Sequence, residues 1–270
     1  MEQQKESQPQ QEAKLTPKFP SESIKLPSEG KFYPPGHPLE SGEIELYYPS
    51  ARSEDILTSK NLITKGVVID RFIESLIVDT NIDLNDVLLG DKNAIIVAAR
   101  ILAYGKDYQV KIECPSCSFI DQNINVDISE IEAKQIDFSL ISAGTREFDV
   151  ALPASKKTVR LRLLTHQDEK AIDSEIKQMK KLTKSQNDSE ITTRLRYAIV
   201  ALDGNPDRSI IKKFVDNMLS IDSLELRKGL LKVTPDVDMK FQFECKECSY
   251  SERMALPLGV SFFWPSGFGN

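Results

Sequence analysis

An α+β fold is what the sequence predicts: a helical N-terminal part leading into a split zinc ribbon, with a β-hairpin and a helical insertion between the ribbon's halves. Three observations predict it. Apolar residues recur at helical spacing through residues 51–104 and again between about 165 and 232, and alternate at strand spacing in the segments around them. The only four cysteines fall in two Cys-x-x-Cys pairs, Cys114/Cys117 and Cys245/Cys248. Each pair is flanked alike: apolar–polar–apolar–Glu precedes the first cysteine, and Ser plus an aromatic follows the second.

The elements follow in chain order. Residues 1–23 are polar and Gln-rich, too poor in apolar surface to offset the entropy of ordering, so a disordered tail is expected. From residue 24 the prolines and glycines of Leu26-Pro27-Ser28-Glu29-Gly30-Lys31-Phe32-Tyr33-Pro34-Pro35-Gly36 exclude a helix. Leu26, Phe32 and Tyr33 nevertheless want burial, so this is an extended segment pinned by its aromatics. Glu43–Tyr48 alternates as a short strand. A helix opens at Ser53-Glu54-Asp55, and Val67, Ile69, Phe72, Ile73, Leu76 and Ile77 give the next apolar face. A further helix runs from Asp91 and stops at Tyr104-Gly105 with Gly105 as its cap, which closes the first part at residue 105.

The second part, 106–270, opens with a strand at Tyr108–Glu113 that enters Cys114-Pro115-Ser116-Cys117, and a strand leaves through Phe119 to Ile128. Phe148–Leu152 and Thr158–Leu163 form a second hairpin turned at Pro153-Ala154-Ser155. Thr165 caps a helix that carries Ile172, Ile176, Met179 and Leu182 and ends among Lys180, Lys181 and Lys184. A polar loop spans Ser185–Ser189. Ile191–Leu202 reads as another helix, Ile210–Met218 as a third, and Leu224, Leu226 and Leu230 as a short fourth. Met239–Glu244 then alternates into Cys245-Lys246-Glu247-Cys248, and Tyr250–Leu256 leaves.

Composition narrows the function. Net charge is −6 and the calculated isoelectric point about 5.2. Nucleic-acid binding wants a surplus of Lys and Arg, so nucleic acid is not the expected partner. Nothing near the start reads as a secretory leader and no apolar run spans a bilayer, so the expected setting is a reducing cytoplasm without a membrane role. Disulfides rarely persist there.

Four thiolates are a common donor set for tetrahedral structural zinc. One shared ion, held by Cys114, Cys117, Cys245 and Cys248, is therefore expected. The knuckles lie more than 120 residues apart, so the fold must carry them together. Two reactive dithiols, two disulfides and unassociated free thiols are the competing readings. A catalytic zinc is disfavoured, because four thiolates leave no position for water. No hydrolase, P-loop or dinucleotide-binding motif is present, so neither an enzyme nor a small-molecule substrate is expected. His37 and His166, the only histidines, read as ordinary surface or capping residues. Phe262, Phe263 and Trp264 near the C-terminus admit two readings, a lid on the core or an anchor in a partner's groove. Leu26, Phe32 and Tyr33 admit the same two. All six are candidate partner-binding residues.

Leu26-Pro-Ser-x-Gly-x-x-Tyr33-Pro, Glu54-Asp55-Ile56-Leu57, Asp91, Ala99-Arg100-Ile101, Tyr104-Gly105 and Cys114-x-x-Cys117, in that order, resemble the baseplate hub assembly family of T-even-type contractile-tailed phages. The resemblance is good over about 24–120. It continues more loosely through Leu152-Pro153, Leu164-Thr165, the second Cys-x-x-Cys and Phe263-Trp264-Pro265. It implies a virion-morphogenesis protein: a component of the tail baseplate hub, or a chaperone for other hub proteins, with hub and tail proteins as partners. It implies work in the host cytoplasm during assembly and a place in the virion tail baseplate. It offers no catalytic residues. A nucleic-acid-binding zinc-ribbon factor of transcription or replication machinery is the alternative, and a dithiol redox enzyme the third.

Overall fold

The structure is a computed structural model, and it describes residues 19–183, 190–256 and 260–263. Most of the expected tail lies outside the described residues, as do the Ser185–Ser189 loop and Trp264. The chain mixes helices with small antiparallel sheets. Strands β1 (Ser21–Lys25) and β2 (Glu43–Tyr47) pair as a ribbon, Ile24 opposite Ile44. Strand β1 thus begins inside the stretch expected to be a tail. Between these strands the chain folds back through turns at Gly30 and Gly42, both at positive φ. A side chain at Gly30 would run into the Glu40 carbonyl, so only glycine fits.

Helices α1 (Ala51–Leu57), α2 (Lys60–Lys65) and α3 (Val68–Leu76) follow, then α4 (Leu89–Tyr104). Apolar residues ring α4, and a helix of that kind is buried all round. Ile95 and Ala98 face one apolar core while Val97 and Ala99 face another.

The first core joins Leu26, Phe32, Tyr33, Leu39, Ile44 and Leu46 to a sheet of β5 (Glu147–Ala151), β6 (Thr158–Arg162) and β7 (Ile199–Leu202), order β5-β6-β7. Around that sheet lie α5 (His166–Thr183), α6 (Glu190–Ala198), α7 (Arg208–Asp216) and α8 (Ser220–Val233). The helix expected over Ile191–Leu202 therefore ends at Ala198. Ile199-Val200-Ala201-Leu202 instead pairs with β6, Val159 opposite Leu202, because that edge offers backbone partners and an apolar face.

The second core is built by β3 (Asp107–Glu113) with β4 (Ile120–Asp127), and by β8 (Lys240–Glu244) with β9 (Ser251–Ala255). Strands β3 and β8 alternate exposed and buried residues along their length. Val110, Ile112, Phe241 and Phe243 point inward against Phe72, Leu76, Phe262 and Phe263. Both cores draw on residues before and after 105, and they meet at Ile69 and Ile96. Among the described residues, no helix is long and apolar enough to cross a membrane.

Candidate metal centre

The hairpins β3–β4 and β8–β9 belong to separate sheets, and their tips converge. At each tip a tight turn reverses the chain by the same bonds. The Cys114 amide donates to the Phe119 carbonyl at 2.8 Å and the Ser118 amide to the Cys114 carbonyl at 2.9 Å. The Cys245 amide donates to Tyr250 at 2.8 Å and the Ser249 amide to Cys245 at 3.0 Å. Ser118 and Ser249 sit at φ 58° and 56°, a left-handed conformation that serine rarely adopts. The equivalence seen in the two flanks is thus an equivalence of backbone.

One sulfur atom from each of the four cysteines lies within 4.8 Å of the others. Across the hairpins, Cys114 Sγ is 3.7 Å from Cys248 Sγ, and Cys117 Sγ is 3.7 Å from Cys245 Sγ. A disulfide needs about 2.05 Å, so these are not disulfides. A tetrahedron with metal–sulfur bonds of about 2.3 Å has sulfur–sulfur edges of about 3.8 Å. The donor set and its spacing therefore fit a four-coordinate thiophilic ion. Cys114 and Cys245 are buried, while Cys117 and Cys248 are exposed.

The protein environment acts oppositely on the two outer thiols. The Phe119 amide hydrogen-bonds Cys117, and the Tyr250 amide hydrogen-bonds Cys248. The Tyr250 amide and then the Cys117 sulfur draw Cys248 down to about 7. For Cys117 the Phe119 amide acts in the same direction, but the facing Cys248 sulfur, burial and the other two sulfurs outweigh it and push the thiol up to about 12. The physical content is that one thiolate forms easily among neighbouring S–H donors, and the next resists until a cation joins it.

An ion pair, Lys246 Nζ to Asp121 Oδ2 at 2.6 Å, bridges the two hairpins beside the sulfurs. The repeated flanks did not reveal it, because one partner lies in a knuckle and the other in β4. The left-handed turns had no residue sign of their own, since serine does not favour that conformation; only the repetition of Ser plus an aromatic marked the two tips as alike.

The other candidate residues are placed elsewhere. Leu26, Phe32 and Tyr33 are fully buried in the first core, and Phe262 and Phe263 in the second. These five side chains are packed inside the chain itself, as a lid on the core would have them, and Trp264 lies outside the described residues. Phe262 meets Tyr108 edge-on at 4.9 Å and Phe263 meets Phe72 at 5.1 Å. Arg100 Nε donates to the Phe262 carbonyl at 2.9 Å and its guanidinium also bonds the Gly105 and Asp107 carbonyls, which ties the end of α4 to the C-terminal aromatics.

Two buried polar clusters escaped sequence reasoning. Asp91 accepts from the Ser28 amide at 2.9 Å and the Tyr33 hydroxyl at 2.8 Å, and Tyr33 in turn accepts from the Leu88 amide. The Leu-Pro-Ser-x-Gly-x-x-Tyr string is thus a clasp closed on Asp91. His166, expected at the surface or in a cap, is buried instead. Its Nε2 lies 2.8 Å from Asp70 Oδ2, and Lys92 Nζ reaches Asp70 Oδ1 at 2.6 Å. The cause is that α5 packs its first turn onto α3 and α4, where Asp70 supplies a partner.

Fold and site together define a mixed helix-and-sheet protein whose two remote hairpins meet on a four-thiol cluster of metal-binding geometry. The chain matches the family model described as T4 bacteriophage base plate protein over residues 20–264, and it belongs to that family. A baseplate-related structural role in the phage tail follows. Neither the curated proteins nor the solved structures gave a match.

Proposed function

We propose that the chain is a component of the tail baseplate hub, or a chaperone of hub assembly, that works through protein–protein contacts in the host cytoplasm. One structural zinc ion, held by Cys114, Cys117, Cys245 and Cys248, closes its two hairpins into a split zinc ribbon. The observation that carries this reading is the four-sulfur cluster with its 3.7 Å cross-hairpin spacings. When bound, the ion supplies a fixed tetrahedral node and no open position for a reacting water. The chain's own residues do the rest: the Phe119 and Tyr250 amides hold the outer sulfurs, and Lys246–Asp121 aligns the tips. The nucleic-acid alternative has no observation in its favour, since Lys246 and Arg253 beside the knuckles are paired with Asp121 and Asp238.

Elemental analysis of protein purified without chelator tests the metal. One zinc per chain is expected, lost in the Cys117→Ser/Cys248→Ser variant. Metal-free protein that folds and melts normally would end the zinc reading. Mass spectrometry of tagged chain recovered from assembling tails and from finished particles tests the role, and absence from both would end the hub reading.

A further inference from the structure

Helix α8 carries two apolar faces, and the fold uses one. Asp222, Leu226, Gly229 and Val233 recur at helical spacing and turn inward. Leu226 and Val233 are buried in the first core, and Asp222 accepts from the Ala154 and Ser155 amides. Gly229 lets the helix lie against β5, where a side chain would press on Val150 and Phe148. The opposite face carries Ile221, Leu224 and Leu231, exposed by 55%, 42% and 73%. With Lys228 among them they stand at i, i+3, i+7 and i+10, the a and d positions of two heptads. The structural demands on α8 are met by its inner face and explain none of these three.

The exposed charges that α8 itself sets beside this stripe have one sign. Arg227 and Lys232 flank it and Lys228 sits in it, all exposed. The helix has two carboxylates, and Asp222 is spent on the β5–β6 turn, leaving Glu225 half-buried. We infer that the outer face of α8 is a docking surface for an amphipathic helix of another baseplate protein, apolar at its own a and d positions and acidic on either side. The spacing selects a helix, because a/d residues every 3.5 positions stay in register only with another helix. The cations select acidic flanks. They also oppose a second copy of this chain, since a two-fold contact would bring Arg227, Lys228 and Lys232 of both copies together. The inference rests on the assembly role proposed above and names where that contact is made.

The test uses the full chain with its metal and two fluorescent, side-chain-stapled helical peptides of two heptads, both with Ile at a and Leu at d. One has Glu at e and g, the other Lys. The Glu peptide is expected to bind, to weaken at least about tenfold in Leu224→Glu/Leu231→Glu, and to weaken as salt rises. The Lys peptide is expected not to bind. No binding of the Glu peptide, equal binding of both, or a variant that binds like the parent overturns the inference. So does a parental dimer in sedimentation that the double variant converts to monomer, which assigns the face to a second copy. Both substituted residues are exposed, so the variant's melting and zinc content should match the parent's. Recovery of the parent chain with tails is read separately, so loss of this face and loss of the assembly role give different results.

Discussion

Asp91 is wholly buried, and burial pushes its carboxyl above the usual range even though Ser28 and Tyr33 donate to it. Such a group holds because every neighbour is a donor, and removing it strands those donors. Asp91→Ala should therefore destabilise the chain by about 2–4 kcal/mol, and Tyr33→Phe by about 1–2 kcal/mol, read from urea midpoints. A melt of Asp91→Ala that overlays the parent's would refute the clasp. Asp70 behaves oppositely: burial pushes its carboxyl up, but hydrogen bonds from His166 and Lys92 outweigh that and hold it at about 2. A carboxyl lowered on folding stabilises above its unfolded value and stops doing so as pH falls through its folded one. Parent and Asp70→Asn should thus differ most near neutral pH, by roughly 1–2 kcal/mol, and converge between about pH 4 and pH 2. A gap that widens on acidification would contradict this pairing. Residues of this kind were the least legible in the sequence. Tyr33 could be seen to want burial, but Asp91 lies 58 positions away and polar pairing leaves no period to read.

Elements were more legible, and they failed where one residue serves two neighbours. Strand alternation around both cysteine pairs, the Thr165 cap of α5 and the Gly105 stop of α4 could all be read locally. Strand β7 could not, because its apolar run continues a helical stripe and only the open edge of β6 makes it a strand. Helix α8 was underestimated for a related reason: its leucines occupy two faces, which blurs the single stripe that marks a helix. Gly90 shows how an element can depend on a close approach that no pattern announces. It lies in the first turn of α4, where an added methyl would run into the Pro235 carbonyl. Backbone cannot give way as a side chain can, so Gly90→Ala should cost about 3 kcal/mol, at the upper end for overpacking. Gly66 meets nothing within 4 Å but has φ 71°, so Gly66→Ala should cost only about 1 kcal/mol, from left-handed strain alone. Thermal melts of the two variants check the order, and a reversed ranking would show that α4 and the Pro235 carbonyl can move apart at little cost.

The whole molecule rests on two cores closed by different means. The first is closed by apolar packing around β5-β6-β7, with the N-terminal clasp and the helices α5–α8 contributing to one continuous cluster. The second contains two separate two-stranded hairpins, and an isolated hairpin is marginal in water. Its hairpins are joined at their tips by side chains, through Phe243 and its neighbours, Lys246–Asp121 and the four sulfurs, and at their base by backbone bonds between residues 132–134 and 236–238. The repeated cysteine flanks let the meeting of the hairpins be anticipated. That the N-terminal segment shares a core with the insertion could not be, because contacts across more than a hundred residues write nothing local. Chelating the metal should therefore open the molecule unevenly. Amides of β3 and β8, such as Val110, Ile112 and Phe243, should lose at least about tenfold in hydrogen-exchange protection. Those of Val159 and Leu161 in β6 should keep theirs, and α3 and α4 should fall between, because Ile69 and Ile96 pack against both cores. Uniform loss across the chain would mean that the two cores unfold as one unit. Unchanged protection in β3 and β8 would mean that packing, and not the ion, holds the hairpins together.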